Sequence, residues 1–208
     1  MNTAIELYGA ETGNTIRAAI ALEEAGITYV ARHVDLHAGE HRDPAFLALN
    51  PAGKVPTLID RSSTPALVIN QSNAIIQYAD GQAPGRLAPA RHGPERNKVL
   101  DRYFFFVTDI IAPSHAAFFL HQAGMNEAAE LIQRRVIEQF SLAEAFLTAE
   151  FMAGEQFSMA DISAFTLATS IRDRLDWNAL PRLKSWYATI EARPAVQRGL
   201  KAFGRHAG

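Results

Sequence analysis

The chain has 208 residues, of which 48% are apolar and 20% charged, with a net charge of −2. That length can bury one large core or two small ones, and the charge gives no general attraction for nucleic acid or an anionic bilayer. There is no cysteine, which excludes disulfides, cysteine nucleophiles and thiolate metal sites and fits a cytoplasmic protein.

In chain order, residues 1–80 alternate short strands and helices. The opening MNTAIELYG lacks the basic and long apolar regions of a signal peptide and leads into a strand at 4–8. NTIRAAIALEEAG (14–26) is an amphipathic helix closed by Gly26, a usual stop. TYVARHVD (28–35) is a second strand. RDPAFLALN (42–50) is a short helix with Asp43 at its cap and Pro44 at its first position. VPTLID (55–60) and ALVIN (66–70) are strands joined by the turn RSSTP, and QSNAIIQYAD (71–80) is a helix capped by Ser72. The predicted order is β-α-β-α-β-β-α. His33, His37 and His41 recur every four residues. Gly39 and Pro44 argue against one continuous helix there, and no metal site is assigned.

GQAPGRLAPA (81–90) reads as a linker, and residues 91–208 as an all-helical domain. Apolar residues at 99, 100, 103, 106, 107, 110 and 111 form a helical stripe, interrupted by Pro113. The helix should kink or restart there. No run of about 18 apolar residues predicts a membrane span. Residues 126–150 form the next helix. In FSMADISAF (157–165), Ser158 and Asp161 form a capping box with Asp in place of Glu, so Asp161 is read as a folding element. LPRLKSWYATIEARPAVQRGLKAF gives two last helices, split before Pro194.

Pro56 stands at the mouth of the third strand, where it cannot donate to a ladder. A β-α-β-α-β-β-α domain with X-Pro at that point resembles a thioredoxin fold, in which the Val55–Pro56 peptide would be cis. The backbone of Val55 would then be a strand edge onto which an extended peptide can add. Ser72 opens a helix whose N-terminal N–H groups suit a carboxylate. A ligand fitting both features is a short extended peptide with a free carboxylate.

The four stretches NPAGKVPTLID, QSNAIIQYA, GEQFSMADI and LPRLKSWYATIEARPAVQ, in this order, resemble the cytosolic glutathione S-transferases. The resemblance covers nearly the whole chain. It implies an extended glutathione whose cysteinyl unit pairs with Val55 beside Pro56. Ser72 and its helix end would bind the γ-glutamyl carboxylate, and Gln71 would face the γ-glutamyl amine. Lys54 and His41 would line the glycyl carboxylate. It also implies a homodimer.

The reacting thiol must come from the ligand. A thiol of pKa about 8.5 is only a few per cent thiolate at neutral pH, so a donor beside the sulfur is needed. In the loop GAETGNTIRAA the candidates are Thr12 and Asn14, an arrangement that resembles the bacterial nu-class transferases; Tyr8, on the strand before it, is the alternative. Thr12 and Asn14 are also good helix caps. Tyr103, Phe106, Val107, Ile110 and His115 are the residues that the resemblance implies for an electrophile, although a stripe at helical spacing is also what a core requires. The implied activity is transfer of the glutathione thiolate to small hydrophobic electrophiles. Glutathione-dependent disulfide reduction and a non-catalytic glutathione-binding relative are the alternatives.

Overall fold

The computed structural model describes residues 4–204. They form two units, one running to Leu87 and taking in the chain again from Ala192, the other comprising Ala88–Glu191.

The first unit contains β1 (Ile5–Gly9), α1 (Gly13–Ala25), β2 (Val30–His33), α2 (Pro44–Leu49), β3 (Thr57–Asp60), β4 (Leu67–Ile69) and α3 (Ser72–Gln82). This is the expected order, with an added 3-10 turn at Glu40–Arg42. The sheet order is β2-β1-β3-β4. β1 and β2 are parallel, with Glu6 opposite Val30, while β1–β3 and β3–β4 are antiparallel, with Tyr8 opposite Thr57. Gly26 ends α1 in the left-handed conformation, φ 73°, which costs a residue without Cβ little.

Residues Arg17 to Leu22 of α1 are all buried, because a further helix, α9 (Pro194–Lys201), packs on the face that the sheet leaves open. A Cβ on Gly199 would lie 2.8 Å from the backbone N and Cα of Ile20, so only glycine lets the two helix backbones approach this closely. Arg193 donates a fork of hydrogen bonds to Glu24, at 2.7 and 2.8 Å. The sequence groups α9 with the helical region; its packing is with the first unit.

The second unit opens with α4 (Pro94–Phe104), a π-helical segment (Phe105–Ile111) and α5 (Ala112–Gln122) in one continuous run. The expected disturbance at Pro113 takes this form. The Ala112 N–H reaches back five residues to the Val107 carbonyl, widening the turn just before a residue with no N–H to give. The run Pro94–Gln122 is long and apolar enough to cross a bilayer by length and composition alone, and it packs against α6 (Asn126–Ser141) and α7 (Met159–Ile171). α6 stops short of the expected residue 150. Its Ser141 hydroxyl donates to the Ile137 carbonyl at 2.8 Å, and a 3-10 turn, Leu142–Ala145, follows.

α7 is buried on every side from Met159 to Ala168, as its apolar circumference requires. The predicted capping box is present at its start. The Asp161 carboxylate accepts from the N–H and hydroxyl of Ser158, the N–H of Met152 and Nε1 of Trp186, each at 2.9 Å. Burial pushes this carboxyl above its usual range, against the pull of those donors. Trp186 belongs to α8 (Pro181–Glu191), so one carboxylate joins α7, α8 and the 151–154 turn.

Candidate active site

The topology of the first unit brings three segments to one edge of the sheet. β1 and β4 run in the same direction, since each is antiparallel to β3. Both therefore finish at the same edge, and each is followed by a helix, α1 and α3. β3 runs the other way and begins there. The N-termini of two helices and the mouth of one strand converge, and each helix end offers unpaired N–H groups and partial positive charge.

At the first segment, Gly9 ends β1 directly under α1. A Cβ there would sit 2.2 Å from Cγ2 of Thr15. Thr12 is the N-cap of α1, with extended backbone, and its hydroxyl oxygen accepts from the Thr15 N–H at 3.3 Å. Asn14 lies in the first turn, and its Oδ1 accepts from Nη1 of Arg17 at 2.8 Å.

At the second segment, the Val55–Pro56 peptide is cis, as the resemblance implies. Pairing of β3 with β1 starts at Thr57, so Val55 lies beyond the ladder register. The buried Asn50 shapes this loop, donating to the Lys54 carbonyl at 2.6 Å and accepting from Ala52 N–H at 3.1 Å. The Lys54 side chain is exposed. Gly53, at φ 56°, lets the loop pack against the 40–42 turn: a Cβ there would lie 3.0 Å from the His41 carbonyl. His41 and Lys54 therefore stand on adjoining turns. Nδ1 of His41 is buried without a hydrogen-bond partner among the described residues.

At the third segment the structure corrects one detail. Gln71, not Ser72, is the N-cap of α3, and its carbonyl accepts from Ile75 N–H to close the first turn. Ser72 is the first helical residue. It is buried, and its hydroxyl oxygen accepts from Nη1 of Arg17 at 3.3 Å. Arg17 thus touches both helix starts, and it was not singled out from the sequence. The available signal was a lone charge within the Ala-rich run TIRAAIAL.

Tyr8 stands opposite Thr57 at the same end of β1 as Thr12. It shares a face of β1 with Glu6, whose carboxylate binds Arg32 at 2.7 Å and Arg61 at 2.8 Å. The hydrogen bond from Arg32 leads in holding the Glu6 pKa below the usual carboxylate range. The Tyr8 side chain interacts with Arg61, whose N–H pairs with the Ala4 carbonyl at the opposite end of β1 from Thr12.

In the helical unit, Tyr103, Phe106 and Ile110 lie in the packed interior, with Phe106 against Phe140 and Phe146. Val107 is half-buried and His115 exposed. Among the described residues, no three or more His, Asp or Glu side chains are placed to hold a metal ion; the 33/37/41 histidines form no such group.

Residues 4–81 match the family described as glutathione S-transferase, N-terminal domain, and residues 108–202 match glutathione S-transferase, C-terminal domain. Glutathione S-transferase 4 of Zea mays is 30% identical over 214 residues, covering 94% of this chain and 91% of that protein. The disulfide-bond oxidoreductase YfcG of Escherichia coli is 28% identical, with 94% of each chain covered. Among solved structures, a glutathione transferase from Burkholderia graminis with two glutathione molecules bound per subunit has a TM-score of 0.86 at 25% identity, covering 98% of this chain and 90% of that one. One from Pseudomonas putida with a glutathione disulfide bound per subunit has a TM-score of 0.83 at 26% identity, covering 96% and 91%.

Proposed function

This chain belongs to the glutathione S-transferase family, and we propose on that premise that it binds glutathione at the convergent sheet edge and joins it, through its thiolate sulfur, to small hydrophobic electrophiles. The observation that carries the reading is the meeting of two helix N-termini and an unladdered strand mouth in a chain without cysteine. Such an edge suits an extended peptide with a carboxylate at one end and a thiol nearer the other.

In this reading the Val55 backbone pairs with the cysteinyl unit and Pro56 sets the bend. Ser72 and the α3 N–H groups hold the γ-glutamyl carboxylate, with Gln71 at the amine. Lys54 and His41 serve the glycyl carboxylate. Thr12 and Asn14 donate to the sulfur, and the start of α1 adds partial positive charge. Together they lower the thiol pKa from about 8.5, so that thiolate predominates near neutral pH. The thiolate then forms a carbon–sulfur bond as the electrophile's leaving group departs. Of the helix residues implied for the electrophile, Val107 and His115 keep exposed surface.

A second reading is glutathione-dependent disulfide reduction, favoured by the similarity to YfcG and to a relative with two glutathiones per subunit. Thiolate attack on a disulfide would give a mixed disulfide and release one thiol. A second glutathione would release the other thiol and leave as glutathione disulfide. The protein's own lack of cysteine suits both readings.

The chain acts in the cytoplasm as a homodimer, each first unit pairing with the helical unit of the other copy. Exposed Leu67, Val68, Phe104, Phe118 and Phe119 support that pairing. Retention on immobilised glutathione, then assays with a chloronitrobenzene and with a hydroxyethyl mixed disulfide, test the function and separate its two readings. A chain that neither binds glutathione nor turns over either substrate would refute both. Light scattering should give twice the mass of one chain.

A further inference from the structure

Arg17 is 3% exposed and carries a charge that persists at any physiological pH. Burial disfavours a cation, and so does the positive end of the helix that carries it. The guanidinium nevertheless reaches Asn14 in the first turn of α1 and Ser72, the first residue of α3.

We propose that Arg17 is a positioning residue that couples the carboxylate and sulfur ends of the glutathione site, by turning Asn14 and Ser72 into hydrogen-bond donors toward an anionic ligand. The inference rests on the glutathione reading above. A guanidinium has donors and no acceptor, so each residue it binds must offer oxygen to it. Asn14 gives its Oδ1, at 2.8 Å, which commits the other end of the amide, a donor, away from Arg17. Ser72 gives a lone pair of its Oγ, at 3.3 Å, which leaves the hydroxyl hydrogen to donate elsewhere. Without Arg17, the amide can reverse and the hydroxyl can rotate, and either change presents an acceptor to a thiolate or a carboxylate. The fixed charge adds attraction at both ends of the ligand, and one side chain spans both, so the two subsites are set together.

The test compares Arg17→Met and Arg17→Lys with the wild-type chain by three measurements: ultraviolet titration of the thiolate in the glutathione complex, KM for glutathione, and melting temperature. Arg17→Met should raise the bound thiol pKa by about one, a roughly tenfold smaller thiolate-to-thiol ratio at a given pH. It should also raise KM for glutathione. Arg17→Lys keeps the charge, but on a shorter side chain whose ammonium does not occupy the place of Nη1, the one nitrogen that makes both bonds. It should stand between the wild type and Arg17→Met in both readouts, and it decides the matter if Arg17→Met does not fold. An arginine that only supports folding would lower the melting temperature and leave thiol pKa and KM at wild-type values in either variant, which would overturn the proposal. A wild-type chain that does not bind glutathione would remove the functional reading itself, and this inference with it. Binding with a titration indifferent to Arg17 removes this inference alone.

Discussion

Asp161→Asn isolates folding from chemistry in this chain. One oxygen of the Asp161 carboxylate accepts from the Met152 N–H and from Nε1 of Trp186, and the other accepts from the N–H and hydroxyl of Ser158. Asparagine has one acceptor oxygen. Whichever way its amide turns, an NH2 group meets two donors in a buried site. The milder orientation puts the NH2 toward Ser158, where the hydroxyl can rotate to accept and only the N–H bond is lost. The harsher one loses both Met152 and Trp186. At ~1.5–3 kcal/mol for a bond to a charged group, the loss is about 2–6 kcal/mol. That is a large share of a typical stability of about 5–15 kcal/mol, and it lowers Tm by roughly 5–20 °C for a chain of this size. Thermal unfolding followed by circular dichroism measures it. Below the transition, KM for glutathione and the bound thiol pKa should match wild type, because Asp161 organises the helical unit. A variant melting within about 1 °C of wild type would show that these bonds carry no weight. A folded variant that loses thiolate would show that Asp161 serves chemistry.

Ser72→Ala should raise KM for glutathione about ten- to a hundredfold, the value of one hydrogen bond to a charged group, with a smaller change in kcat; unchanged affinity would place the anion site elsewhere. Thr12→Ala and Asn14→Ala should each raise the pKa of bound glutathione, whereas Tyr8→Phe should leave it near wild type, and ultraviolet titration returning the reverse pattern would make Tyr8 the sulfur donor. Glu6→Gln tests the pH dependence of stability. The Glu6 pKa is lowered in the folded chain, first by the hydrogen bond from Arg32, so its contribution is present above the ordinary carboxylate value and lost as pH falls through the folded one. The Tm gap between wild type and Glu6→Gln should be widest at neutral pH and close on acidification. It should also stay small, because the arginines are about half exposed and such pairs contribute at most about 1 kcal/mol each. A gap constant from neutral to acid pH would contradict this.

Neighbouring residues settled the local features of this chain among themselves. The order β-α-β-α-β-β-α follows from short-range periodicity and from helix signals such as the stop at Gly26 and the start at Pro44. The Ser158–Asp161 box and the break before Pro194 are equally local, and the placing of Val55–Pro56, Thr12 and Ser72 as site candidates used residue type at a known point of such an order. The tertiary structure decided whatever depends on residues far apart in the chain. Period-two alternation allowed either face for Tyr8, and the Glu6–Arg61 side was chosen by β3 pairing. Helical spacing could not separate core from surface for Tyr103, Phe106 and Ile110, which burial against α6 and its neighbours assigned to the interior. The need for glycine at position 199 is set by the approach of α9 to Ile20. Nothing within α1 announces that residue 72, 55 positions away, will meet Arg17. A helix pattern records which face is apolar, and the partner that makes a buried charge tolerable is supplied only when the sheet brings two helix ends together.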